Sequence, residues 1–118
     1  MNNLNRVVLM GHLNDDPTSG TTATGKRVAV FYIATNEFIK NADGEKIKRT
    51  DWHKITTCGK TADACEKMLR KGSMVLVEGK IRNMLNKKGK KPSYEILATD
   101  VSFISNYKSK GYKEATDE

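Results

Sequence analysis

The chain has 118 residues, 30% of them charged, with 21 lysines and arginines against 14 acids and a net charge of +7. That length allows one domain around one core, and a mean hydropathy of −0.61 with no apolar run near the roughly 20 residues of a membrane crossing excludes a transmembrane helix. So basic a balance favours an anionic partner, nucleic acid first, while two cysteines are too few for a disulfide framework and fit a reducing compartment.

In chain order the apolar pattern is mostly period two. The N-terminal "MNNLNRVVLM" lacks the basic and long apolar parts of a secretory signal. "NRVVLMGHLN" reads as a first strand with Val7, Leu9 and Leu13 on one side. "DDPTSGTTATGK" reads as a polar loop punctuated by Pro17, Gly20 and Gly25. "RVAVFYIATN" is a second strand, with Phe31 and Ile33 toward the core and Tyr32 on the opposite side. The Asp43-Gly44 pair in "IKNADGEKIK" marks a hairpin tip. The returning third strand, "TDWHKITTC", ends at Gly59.

The period then changes. In "TADACEKMLRKG", Ala62, Cys65 and Leu69 fall on one helical face with Met68 beside them. Thr61 can cap the start, Asp63 and Glu66 sit toward the positive end of the dipole, and Lys67, Arg70 and Lys71 lie toward the negative end. Gly72 can supply a left-handed stop. "SMVLVEGKIRNM" is a fourth strand with Val75, Val77 and Ile81 inward and Glu78, Lys80 and Arg82 outward, followed by the basic turn "NKKGKKP". "SYEILATDVSFIS" is a fifth strand. "NYKSKGYKEATDE" has no apolar periodicity and reads as a flexible tail.

Three strands, a short helix and two more strands make an all-β plan: a five-stranded antiparallel OB-fold barrel with the helix between strands 3 and 4. Gly11, Gly59 and Gly79 suit strands that bend around barrel corners. The expected division is an OB-fold domain over residues 1–105 and a tail over 106–118.

Trp52 is the only tryptophan, and strand alternation puts it on a face with Lys54, Thr56 and Cys58. A lone tryptophan is commonly a core residue, but lysine and threonine are poor core neighbours. An outward ring suits stacking on bases, because every base has a π-face. Two basic hairpins flank this face. One carries Lys40, Lys46, Lys48 and Arg49; the other joins Lys80 and Arg82 to Lys87, Lys88, Lys90 and Lys91. Both suit phosphates, with Phe38 and Tyr94 as further stacking candidates. His12, His53, Cys58 and Cys65 lack the spacing of a zinc set, and His53 and Cys58 fall on opposite strand faces, which argues against a nucleophile and base. No GxxxxGK[ST] loop is present. Neither a metal nor a cofactor is expected.

"NRVVLMGHLNDDP", "FYIATNE", "DWHKITTCGKTADACEKMLRKGS" and "VEGKIR" together resemble the bacterial single-stranded DNA-binding protein family from about Asn5 to Phe103. The resemblance implies an OB-fold without catalytic activity and binding of single strands with little sequence preference, in replication, recombination and repair. It also implies a homo-oligomer, a homotetramer before a dimer, in the cytoplasm: associated with the nucleoid, or in a host's cytoplasm if phage-encoded. His53 and the first strand are interface candidates by this resemblance alone.

Four departures stand out. Cys58 and Asn86 occupy positions where the family often has aromatics, and so does Ile39, beside Phe38. The acidic, phenylalanine-closed tip that recruits replication and repair proteins has no counterpart in "EATDE". This suits a phage or plasmid variant or a shortened form. An accessory protein of primosome type, acting mainly through protein partners, is the alternative. A nuclease would need clustered acids, and Asp15 and Asp16 lie in a loop without a supporting histidine.

Overall fold

A computed structural model describes residues 2–84 and 93–105. The elements are β1 (Val7–Leu13), β2 (Thr18–Thr21), β3 (Arg27–Lys40), β4 (Lys46–Cys58), α1 (Lys60–Met68), β5 (Met74–Met84) and β6 (Ser93–Ser105). Strands β1, β5, β6, β4 and β3 pair in that order, and β1 pairs again with β3 at His12 and Leu13, closing a five-stranded barrel. Short β2 lies outside the ring and pairs only with β3.

One expectation needs correction. The barrel is not wholly antiparallel: β4 and β6 run parallel through Ile55–Ile96 and Thr56–Leu97. The cause is arithmetic, since directions cannot alternate all the way around a closed ring with an odd number of strands. The helix lies where expected, between the third and fourth strands of the ring, β4 and β5; the loop after β1 adds the unexpected short strand β2 outside it. All four β2 residues are exposed and none is strongly apolar, so there was no alternation to read.

Leu13, Phe31, Ile33, Ile55, Val75, Val77 and Ile96 fill the barrel, and Cys65 and Leu69 join them from the helical segment. Val7 and Leu9 pack at the margin, as the alternation required. Ile81, expected inward, is 45% exposed. It lies beyond a register shift at Glu78/Gly79, and the side chain of Asn5 holds its backbone with bonds of 2.8 and 2.9 Å. Met68 is likewise exposed rather than packed beside Cys65.

The helix ends differ from expectation too. Gly59, not Thr61, is the N-cap; its φ of 68° is one that glycine tolerates, and no side chain caps the first turn. Extended Leu69 stops the helix. Gly72, at φ 91°, then turns the chain and donates its N–H to the Leu13 carbonyl at 3.0 Å. A Cβ at Gly11 would collide with the Ala34 carbonyl, and one at Gly79 with that of Leu97, so both glycines mark close strand approaches. The last strand ends at Ser105, and the expected tail of 106–118 lies outside the described residues.

Candidate nucleic-acid interface

The β3–β4 hairpin is a ladder of thirteen residue pairs, from Val28–Cys58 to Lys40–Lys46. Its loop turns on Asn41, whose Oδ1 accepts the N–H groups of Asp43 and Glu45 at 2.9 and 2.8 Å, with Gly44 at φ 80°. This loop fixes the register, and the register sorts the charges. One face carries Val28, Val30, Tyr32, Ala34, Asn36, Phe38 and Lys40 from β3, paired with Cys58, Thr56, Lys54, Trp52, Thr50, Lys48 and Lys46 from β4. The hairpin itself contributes no carboxylate to it, and Glu95 of β6 reaches it only at Thr56. Glu37 and Asp51 belong to the opposite face, where Arg49 pairs with Asp51 at 3.7 Å.

At the barrel end of this face is a cleft of about 540 Å³, lined by Tyr32, Trp52 and Lys54 from the hairpin and by Met84, Ser93 and Tyr94 from β5 and β6. Trp52 is 54% exposed and Tyr94 50%. Both are amphipathic rings turned toward solvent across a concave surface. Lys54 Nζ rests 4.0 Å from Met84 Sδ, a weak contact that aims the ammonium into the cleft mouth. Further out, Phe38 is exposed and Lys46 Nζ lies 5.0 Å from its ring centroid. Lys40 stands directly opposite Lys46. Like charges so placed destabilise a strand pair, and an anion between them would relieve the cost.

The expected binding residues therefore divide. Trp52, Lys54 and Tyr94 meet in the cleft, and Phe38, Lys40, Lys46 and Lys48 extend the same face along the hairpin. Arg49 is on the other side. Lys80 and Arg82 are exposed on β5, opposite Leu97 and Glu95. Lys87, Lys88, Lys90 and Lys91 lie outside the described residues, as does Asn86. The sequence reading missed Tyr32, Met84 and Ser93 as cleft residues. The outward direction of Tyr32 was readable from its position between Phe31 and Ile33, but its nearness to Trp52 depended on the register.

Hydrogen bonds stiffen the surface. Thr50 Oγ1 donates to Asn36 Oδ1 at 2.6 Å, and Thr56 Oγ1 to Glu95 Oε1 at 2.6 Å, which ties the hairpin to β6. His53 is half-buried and shares a 2.9 Å hydrogen bond with Thr35 Oγ1, a structural partnership on the face away from Cys58. The Asp15–Asp16 pair is also structural: Asp16 Oδ1 accepts the Lys71 N–H at 2.8 Å, tying the β1–β2 loop to the turn after α1. Among the described residues, no group of three or more His, Cys, Asp or Glu side chains could hold a metal ion.

The single-strand binding protein family matches residues 4–104. The single-stranded DNA-binding protein 1 of Chlorobaculum tepidum is 41% identical over 112 residues, covering 92% of this chain and 69% of that protein. The single-stranded DNA-binding protein of Neisseria meningitidis is 35% identical over 104 residues, 86% of this chain and 60% of its own. Among solved structures, a Plasmodium falciparum SSB in complex with single-stranded DNA superposes with a TM-score of 0.80 at 30% identity, over 89% of this chain and 98% of that one. A deletion mutant of the Thermus aquaticus single-stranded DNA-binding protein shares the fold, with a TM-score of 0.76 at 24% identity over 86% of this chain and 51% of that one.

Proposed function

Because the chain belongs to the single-strand binding protein family, we propose that it binds single-stranded DNA on the carboxylate-free face of the β3–β4 hairpin, on an OB-fold barrel. It coats and protects strands laid bare in replication, recombination and repair, without making or breaking a bond. The observation that carries this reading is the sorting of charge by the ladder: aromatics and lysines on one side, Glu37 and Asp51 on the other. Lys40, Lys46, Lys48 and Lys54 neutralise phosphates and release counterions, while Trp52, Tyr94 and Phe38 hold bases by their faces. Ring contacts of this kind ignore base identity, so sequence preference is weak.

We place the protein in the cytoplasm, where its two free cysteines stay reduced. Among the described residues no helix is long and apolar enough to cross a membrane. We also propose self-assembly, to a homotetramer, through the outer face of β1 and β5. Val8 and Met10 on β1 and Leu76 on β5 are exposed there, with Met10 directly opposite Leu76. Residues 7–10 of β1 pair on one side only, with β5, among the described strands.

The test is fluorescence. With one tryptophan in the chain, adding oligo-dT should quench its emission, and duplex of equal length should compete poorly because paired bases cannot lie on the ring. An unchanged spectrum at saturating DNA, or equal competition by duplex, would reduce the interaction to charge attraction.

A further inference from the structure

We propose that Tyr32 is a third stacking residue of the cleft, beside Trp52 and Tyr94, and takes the base next to the one on Trp52. The proposal rests on the single-strand reading above and adds a residue that neither composition nor the family match assigns.

Tyr32 pairs across the ladder with Lys54, and Trp52 with Ala34, so the two rings are diagonal neighbours on one face. Diagonal neighbours sit about 7–8 Å apart. Stacked bases in a duplex strand are spaced at about 3.4 Å. Two successive bases must therefore separate to cover both rings, which a single strand can do and a duplex cannot. Lys54 stands beside both rings, placed for the phosphate that joins the two nucleotides.

The environment of Tyr32 does not suit a packing role. The residues on either side, Phe31 and Ile33, are 2% and 0% exposed, whereas Tyr32 is 44% exposed and lines the same cleft as Trp52 and Tyr94. A buried tyrosine finds a partner for its hydroxyl. Among the described residues the Tyr32 hydroxyl has no hydrogen-bond partner; the residue is tied down by its backbone alone, through the β3–β4 ladder and a carbonyl that accepts the Asn14 N–H at 3.2 Å. The ring is offered to solvent in mid-strand, on a rigid ladder, at the spacing of an unstacked strand.

The test compares Tyr32→Ala, Tyr32→Leu and Tyr32→Phe with wild type and Trp52→Ala, by anisotropy on a labelled oligo-dT at several salt concentrations. Loss of the ring should weaken binding about 5- to 150-fold at every salt concentration, equally for Ala and Leu. Tyr32→Phe should stay within about twofold of wild type, since the face and not the hydroxyl makes the contact. Trp52 emission should still quench when Tyr32→Ala is saturated with DNA. If Tyr32→Ala fails to fold, the Leu and Phe variants decide alone. Wild-type affinity in Tyr32→Leu, or an equal loss in Tyr32→Phe, overturns the assignment. With Trp52→Ala impaired and the Tyr32 variants not, only this proposal falls. If wild type itself binds no single strand, the underlying reading falls and takes the proposal with it.

Discussion

At the scale of single residues, one buried thiol gives the fold a dependence on pH. Cys65 is 0% exposed, and burial pushes its pKa up from 9.0 to about 11, against the smaller opposing effect of a hydrogen bond with Thr57. The unfolded chain ionises this thiol near 9, while the folded chain keeps its proton until about 11. The contribution is therefore complete below pH 9 and is lost as pH rises through 11, about 2–3 kcal/mol in all. Urea midpoints between pH 8 and 11 should fall for wild type. Cys65→Ala should be weaker throughout but decline less steeply, and parallel declines would mean that the thiol is not responsible. Glycines offer a second contrast. At Gly79 an added methyl meets the Leu97 backbone, while Gly20 faces open space with ordinary backbone angles. Gly79→Ala should cost about 1–3 kcal/mol or more and Gly20→Ala close to nothing, read from thermal unfolding.

At the scale of elements, the hairpin register decides on which side of the ladder each cation lies. Lys40, Lys46 and Lys48 share the face of Trp52, whereas Arg49 points the other way and is engaged by Asp51. On single strands, log affinity falls with log salt at a slope of about −0.7 per phosphate neutralised. The triple variant Lys40→Ala, Lys46→Ala, Lys48→Ala should flatten that slope by up to about 2 and weaken binding most at low salt. Arg49→Ala should leave the slope nearly as it was; a drop equal to a lysine's would mean that phosphate wraps the hairpin edge. This division was only half legible in the sequence. Alternation around Trp52 was clear, because Lys54 and Thr56 flank it at the right spacing, and the Asp43-Gly44 tip was readable from its turn chemistry. A cluster read as "basic hairpin" does not say which side of the ladder each charge takes; that needs the residue-by-residue register. β2 and the exposed Ile81 were illegible for a different reason. Four short polar residues carry no pattern, and a strand that outruns its barrel keeps an apolar residue where there is no interior left to bury it.

At the scale of the whole molecule, closure and openness coexist. The ring of five strands accepts one parallel seam between β4 and β6, and α1 covers an end of the core with Ala62 and Cys65. Closure would leave no edges, yet β1 meets β3 only from Gly11 to Leu13, so Val7 to Met10 present an edge that no described strand pairs. Exposed backbone edges invite another chain. Here the edge borders an outer apolar surface of Val8, Met10 and Leu76, aligned by the β1–β5 register and rimmed by the 2.7 Å Arg6–Glu78 ion pair. An apolar surface beside an open edge is suited to a second copy of the same strand, since a two-fold interface uses one patch twice. Light scattering should therefore give a mass well above the 13.2 kDa of one chain. Val8→Glu with Met10→Glu would bury like charges at that contact and should lower the mass toward the monomer. The hairpin face, with Trp52 and its lysines, carries neither substitution and would keep each barrel's own capacity to quench on oligo-dT. A wild-type monomer at micromolar concentration would sink the assembly proposal. Loss of quenching in a folded double variant would instead make the DNA site depend on more than one barrel.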